Sequence, residues 1–275
     1  MSSEKSTKKI SIIMGVYNCE ETLAEAIDSL LNQTYTNWQL ILCDDCSTDN
    51  TYDIAVSYQS KYPEKIIVFR NDTNSKLAFS LNRCLKLADG DYIGRMDGDD
   101  ISVPNRFERQ VEFLDNNECY DLVGTAMQRF SSNGLANVEY PIEKPDKFTL
   151  REHVPFNHAT ILARRKVYDV LNGYTVSKRT VRGQDSDLWF RFYHAGFSGY
   201  NLMEPLYLVR EDKKAVRRRT AKVRINAYKT TVYGYKLLKF PVWWLIKPTC
   251  RLIVRLITPY FLVDLYRSIQ SKIKK

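Results

Sequence analysis

Three carboxylates fall within four residues at Asp97-Gly98-Asp99-Asp100. Ionised carboxylates held that close repel one another, and at the end of a buried strand they need a cation or a polar partner. An oxygen-only donor set suits Mg2+ or Mn2+, which commonly take one or two carboxylates and share their other positions with substrate phosphates. An acidic turn facing water explains the same four letters, because Asp-Gly is common turn chemistry. Position favours the metal: the run directly follows Asp91-Tyr92-Ile93-Gly94-Arg95-Met96, which reads as a strand.

A second acidic pair, Asp44-Asp45, follows the apolar run Trp38–Cys43, with Ser47, Thr48 and Asp49 behind it. Asp49 reads as a helix N-cap. Asp44 and Asp45 are placed to accept hydrogen bonds from a ligand. The run Ile10–Met14 leads to Val16-Tyr17-Asn18, where an aromatic ring and a backbone edge can hold a nucleobase. A third group is Arg182-Gly183-Gln184-Asp185-Ser186-Asp187. Two residues on a helix are about 200° apart, so Asp185 and Asp187 cannot face one cleft. One is expected to do chemistry and the other to suit the helix dipole, though both could simply cap the helix.

Such side chains need a scaffold. Residues 10–14, 38–43, 65–69 and 91–96 read as strands. Between them Leu23, Ile27, Leu30 and Leu31 share a helical face, and helices are expected near 51–60, 77–87 and 104–115. This alternation predicts an α/β fold with a doubly wound, mostly parallel sheet, whose ligands bind beyond the carboxyl ends of the strands. Past Tyr120 the order loosens. Strands are expected at 121–130, 160–163 and 200–209, a turn at 131–134 and a helix at 185–194. This half is expected to form the acceptor side of the cleft.

The chain has 275 residues and a net charge of +9. Residues 213–275 hold 17 Lys and Arg against one acid, Asp264, so the preceding part is acidic overall. Pro241-Val242-Trp243-Trp244-Leu245-Ile246 opens an apolar segment in which Lys247, Arg251 and Arg255 recur every four residues. The pattern predicts a basic amphipathic helical tail lying in an anionic membrane interface, broken by Pro248 and Pro259. A helical appendage packed on the acidic body is the competing reading. The apolar content argues against a nucleic-acid arm. The first nine residues show no apolar signal segment, so a cytoplasmic protein peripheral to the inner membrane face is expected. Cys43 and Cys46 form a CxxC with no second pair at zinc spacing, and no metal or redox role is assigned to them.

The runs Ser11–Asn18, Asp44–Thr51 and Asp97–Asp100, with Pro104 and Arg106, together resemble the family 2 glycosyltransferases of the GT-A fold. The resemblance covers roughly residues 9–212, which sets the expected domain, with 213–275 as the tail. It is nearest to non-processive bacterial enzymes that build O-antigen, capsule or exopolysaccharide units. The QxxRW motif of processive synthases is absent; Trp189 stands in Leu188-Trp189-Phe190-Arg191 instead. The resemblance implies that Tyr17 and Asp45 contact a uracil-type base, that Asp97 sits near the ribose and metal, and that Asp99 ligates the metal. It also implies that Asp185 is the catalytic base. Gln184 replaces the family's usual Glu before that aspartate, and Lys76 replaces a Gly expected between Asn74 and Leu77. His158 matches a recurrent position near the acceptor pocket.

The implied activity is inverting, metal-dependent transfer of a sugar from a nucleotide diphosphate, a UDP-sugar by expectation, to a hydroxyl of a lipid-linked saccharide. A bound Mn2+ or Mg2+ neutralises charge on the leaving diphosphate, and a carboxylate removes the acceptor's proton in a single displacement. Two alternatives use the same fold: a polyisoprenyl-phosphate sugar transferase, which needs little general base, and a protein that only binds nucleotide-sugar. Nucleic acid is not an expected partner.

Overall fold

The computed structural model describes residues 7–132, 134–211 and 220–257. The first strand, β1 (Ile10–Val16), is apolar on both faces. Ile10, Ile12, Met14 and Val16 enter one core cluster while Ile13 enters another, as the two-residue period of a strand dictates. It pairs in parallel with β2 (Trp38–Asp44) and β4 (Tyr92–Arg95), and β2 with β3 (Ile66–Arg70), giving the order β3-β2-β1-β4.

The crossovers are helices α1 (Leu23–Leu31), α2 (Thr51–Lys61) and α3 (Leu77–Leu87). Leu23, Ala26, Ile27 and Leu30 turn one face of α1 onto the first cluster, and Ala78, Leu81 and Cys84 turn α3 onto the second. Each Leu or Ile so buried stabilises the fold by roughly 1.5–3 kcal/mol. Helices therefore cover both faces, as expected of a doubly wound sheet.

Beyond β4 come β5 (Ile101–Ser102), α4 (Arg106–Asn116), β6 (Leu122–Ser131), β7 (Gly134–Glu139), β8 (Leu162–Arg164), α5 (Arg165–Leu171), α6 (Gln184–His194) and β9 (Gly199–Arg210). They extend the sheet as β4-β8-β6-β9-β5, with β7 on β6. Here only β6 and β9 pair in parallel. The pairs β4–β8, β6–β8, β5–β9 and β6–β7 are antiparallel. The expected mostly parallel sheet is thus corrected to a mixed one. The cause is local: β6 turns straight back into β7 as a hairpin, and β8 inserts antiparallel between β4 and β6. Pro205, which has no N–H for a ladder, falls where the β6–β9 register shifts.

Two α-helices follow among the described residues, α7 (Ala221–Leu237) and α8 (Ile246–Ile257), with a short 3-10 turn at Val242–Leu245 between them. α7 falls within the expected helical tail, but it has no strong apolar stripe. It packs on α6 so closely that a Cβ on Gly234 would lie 2.1 Å from Phe190 Cγ. Phe190, Tyr235 and Phe240 close a small apolar cluster there, with Trp244 against it. The expected break at Pro248 is corrected: Pro248 is the third residue of α8, in the first turn, where a missing N–H costs nothing. Pro259 and the expected boundary at 212–213 lie outside the described residues. No helix among the described residues is long and apolar enough to cross a membrane.

Candidate active site

The tips of β1 and β2 are knitted together. Asp45 N donates to Val16 O at 2.8 Å, Asn18 N to Ser47 Oγ at 2.9 Å, and Thr48 N to Asn18 Oδ1 at 2.9 Å. Asn18 turns with φ 53°, a conformation Asn tolerates well. The two acids after β2 divide their work. Asp44 is fully buried, paired with Arg70 Nε at 3.0 Å and accepting from Ser47 N at 3.1 Å, so it holds the loop. Asp45 accepts from Asn71 Nδ2 at 2.7 Å, Ser75 N at 2.8 Å and Lys76 N at 2.9 Å, and it still lines the main cleft. Its carboxylate therefore fixes the 71–76 loop whatever ligand it meets. Lys76 has φ 73° and ψ 159°, a region normally left to glycine.

The carboxylates of Asp97, Asp99 and Asp100 converge after β4, with one oxygen of each within 4.8 Å of the others. Arg95, the buried last residue of β4, pairs with Asp97. Asp100 is buried and accepts from Arg210 N at 2.9 Å, and Arg210 Nε donates to Asp99 O at 2.9 Å. Burial first, then the charges of Asp97 and Asp99, push the Asp100 carboxyl up to about 8. Burial and the charge of Asp97 likewise raise Asp99. Arg95 and Arg210 thus leave the cluster short of positive charge, and its donors are all oxygens. That donor set fits Mg2+ or Mn2+ held by Asp97, Asp99 and Asp100. Arg95 and Arg210 are functional neighbours the sequence did not disclose; the one signal for Arg95 was a cation two residues before Asp97 in an apolar strand.

At the start of α6 the geometry separates the two acids. Asp187 is fully buried, accepts from Thr175 Oγ1 at 2.6 Å, and pairs with Arg179 at 2.7 Å and Arg191 at 2.8 Å. Asp185 is half-buried, lines the cleft, and has no ion-pair partner among the described residues. Among the described residues its Oδ1 accepts only from Ser186, N at 2.7 Å and Oγ at 3.4 Å.

His158 does not line the cleft. It is buried beneath Trp189 with Nε2 2.8 Å from Tyr174 Oη, and burial, then the nearby Arg95, holds its pKa well below 6.5. It is neutral. Arg106 is fully buried and donates to the Arg95 carbonyl at 3.0 Å and the Ala159 carbonyl at 3.2 Å, so it braces the end of β4.

The main cleft encloses about 1210 Å3, and Tyr17, Asp45, Lys76, Gln184 and Asp185 share its wall. The acidic triad lies beside this wall, not in it. The β1 tip joins the two, because Thr22 Oγ1 donates to Gly98 O at 2.9 Å and a Cβ on Gly98 would lie 2.7 Å from Val16 Cγ1.

Comparison with known proteins gives this geometry a family. Residues 11–171 match the model of glycosyl transferase family 2. The chain is 47% identical over 234 residues to EpsE of Bacillus subtilis (strain 168), which is named as a glycosyltransferase, covering 85% of this chain and 84% of that one. It is 36% identical over 111 residues to WfaP of Escherichia coli, named a UDP-Glc:alpha-D-GlcNAc-diphosphoundecaprenol beta-1,3-glucosyltransferase, covering 40% of this chain and 43% of that one. Among solved structures, S. aureus TarS 1-349 in complex with UDP-GlcNAc superposes with TM-score 0.69 at 19% identity, over 83% of this chain and 66% of that one. Mannosyltransferase PcManGT from Pyrobaculum calidifontis, with GDP-Man and Mn2+, gives TM-score 0.64 at 14% identity, over 98% of this chain and 81% of that one. The chain belongs to the family 2 glycosyltransferases and has their GT-A fold.

Proposed function

We propose that this enzyme transfers a sugar, with inversion, from a uridine-type nucleotide diphosphate donor to a hydroxyl of a lipid-linked saccharide in the synthesis of a bacterial cell-surface polysaccharide. The observation that carries the reading is Asp185: a carboxylate with no ion-pair partner among the described residues, on the wall that also holds Tyr17 and Asp45, while its neighbour Asp187 is consumed by two arginines. Tyr17, 46% exposed, offers its ring to a base, and Asp45 presents an acceptor beside it. Asp99, with Asp97 and Asp100, would hold Mn2+ or Mg2+, which when bound offsets the negative charge of the departing diphosphate. Asp185 accepts the proton of the attacking hydroxyl. One base and one displacement suffice, so no second nucleophilic carboxylate is required. The names of WfaP and TarS support a UDP-sugar donor, and that of WfaP a lipid diphosphate acceptor.

The exposed side of α8 supports membrane docking. Ile246, Cys250, Ile253, Val254 and Ile257 follow helical spacing on the outer face, and all are exposed, as is Trp243 just before them. Lys247, Arg251 and Arg255 form the adjoining stripe. Apolar and cationic stripes side by side suit an anionic bilayer surface.

The test is a panel of nucleotide-sugars screened by thermal shift with Mn2+, followed by product analysis of the anomeric configuration. A Mn2+-dependent rise with one UDP-sugar, and transfer that needs Asp185, is the expected result. Undiminished transfer by Asp185→Asn would overturn the assignment of the base and favour a phosphate acceptor.

A further inference from the structure

The main cleft is lined by more positive than negative charge. Its lining carries six cationic side chains against three carboxylates. Asp45 stands at the strand tips and Asp185 at the start of α6, while the third carboxylate, Glu152, pairs with Lys247 of α8. The rim away from the strand tips, built from the residues just before α6, one face of α7 and one face of α8, carries Arg182, Arg224, Arg251 and Arg255. Arg251 and Arg255 are four residues apart on α8 and so share a side of it. Arg224 on α7 donates to the Arg255 carbonyl, which ties the two helices at this point. Neither Arg182 nor Arg251 has an ion-pair partner among the described residues, and Arg182 stands three residues before Asp185, just ahead of α6.

Like charges gathered around an open cleft cost free energy unless an anion answers them. The donor diphosphate does not require this rim, because the acidic triad that would hold its metal lies at the other end, against the β1 tip. Glu152, which lines the same cleft and pairs with Lys247, answers part of this charge, and a second anion suits the remainder at Arg182 and Arg251. The same helix that supplies Arg251 and Arg255 exposes the apolar stripe through Ile246, Ile253 and Ile257. An anionic head bound at the rim could therefore lay a hydrocarbon chain along α8 while its saccharide reaches inward to Asp185.

The geometry points to the rim of Arg182, Arg224, Arg251 and Arg255 as a binding subsite for the diphosphate of an isoprenoid-linked acceptor. This deepens the proposed function and rests on reading the cleft as the site of sugar transfer. Guanidinium groups suit the role because they donate bidentate hydrogen bonds to phosphate oxygens and stay charged at any physiological pH.

The experiment uses the full chain and farnesyl diphosphate as probe, with binding followed by calorimetry in EDTA so that no divalent ion can draw the probe to the acidic triad. Inorganic pyrophosphate and farnesol are run beside it. The wild type is expected to bind farnesyl diphosphate more tightly than either. Arg182→Ala and Arg251→Ala are each expected to weaken it roughly tenfold or more, the scale of a lost hydrogen bond to a charged group. Both variants should keep Mn2+-dependent UDP binding, which also certifies their folding. Farnesyl diphosphate binding unchanged in the Arg182→Ala/Arg251→Ala double variant overturns the subsite. Pyrophosphate binding as tightly as farnesyl diphosphate overturns the lipid part of the assignment. Loss of UDP binding by the wild type itself would instead overturn the reading of the cleft, so the two failures are told apart.

Discussion

Arg179 Nη2 lies 2.7 Å from the carboxylate of the fully buried Asp187, and Arg191 grips the same carboxylate from one turn along α6. This clamp commits Asp187 to structure and leaves Asp185, two residues earlier, as the acid open to the cleft. The two substitutions should therefore fail differently. Asp185→Asn should keep its thermal midpoint and donor affinity while losing transfer by on the order of 100-fold or more, the usual scale for a positioned base. Asp187→Asn leaves two guanidinium groups facing a neutral amide. It should lose about 3 kcal/mol of stability, the low end for breaking a buried pair, because both arginines keep some contact with water. Burial alone would raise the Asp187 pKa, but hydrogen bonds from Thr175, Arg191 and Arg179 overcome it and hold it below 3.8. Its stabilisation is present above that range and fades as pH falls through the folded value. Urea denaturation and a transfer assay on both variants decide the matter, and the reverse ranking moves the base to Asp187.

The acidic triad has the opposite pH signature. Asp100 is raised from 3.8 to about 8, so the folded state keeps a proton that the unfolded chain releases near pH 4. Its contribution to stability is full below about pH 4 and is lost as pH rises through about 8. In EDTA the thermal midpoint should fall between pH 5 and pH 8, and Asp100→Asn should flatten that fall. Millimolar Mn2+ should reverse it at pH 8, because an ion that binds only the folded, ionised trio stabilises it by mass action. A pH slope identical in wild type and Asp100→Asn would show that the three carboxylates do not compete for charge.

Much of this is legible in the amino-acid sequence. Ile10–Val16 and Trp38–Asp44 announce buried parallel strands because both faces are apolar. A carboxylate placed directly after such a strand must sit at the sheet's ligand-binding edge. The partners that give each acid its task were not legible, because Arg70, Arg179 and Arg210 meet Asp44, Asp187 and Asp100 only through tertiary packing. The second half of the sheet escaped for a related reason. β8 is three residues long, and its place between β4 and β6 is set by its neighbours, not by its own pattern. α7 falls in the segment expected to be helical, but its apolar stripe is too weak to show which face packs, and it is held by the close approach of Gly234 to Phe190.

Lys76 offers a test of stored strain. At φ 73° and ψ 159° a side chain costs about 1–3 kcal/mol, while glycine's greater freedom in the unfolded chain costs about 0.5–1 kcal/mol. Strain wins, so Lys76→Gly should stabilise the protein by about 1 kcal/mol and raise its midpoint by roughly 2–4 °C. The backbone N–H that meets Asp45 at 2.9 Å is kept in the variant. Calorimetric scanning checks the prediction, and a lower midpoint would mean that the lysine side chain contributes more than its backbone costs.

The membrane reading is best tested on α8 itself, since the segment before it is already engaged. Phe240 packs on Tyr235, Trp244 lies against Phe240 with Arg151 3.8 Å over its ring, and Lys247 pairs with Glu152. A cut at Phe240 would disturb the body along with the tail. Ile246, Ile253 and Ile257 are 64%, 49% and 73% exposed, so replacing all three by Ser should leave the fold intact. The triple variant should lose most of its flotation with phosphatidylglycerol vesicles while keeping UDP binding. Each exposed cation near the surface contributes about 1 kcal/mol, a term that salt screens, whereas buried apolar area contributes roughly 25 cal/mol per Å2 and is not screened. High salt should therefore weaken wild-type flotation without abolishing it, and should abolish what remains in the triple variant. Binding by the wild type that vanishes entirely in salt would reduce α8 to a purely electrostatic contact. Equal flotation of wild type and triple variant would remove α8 from the membrane altogether.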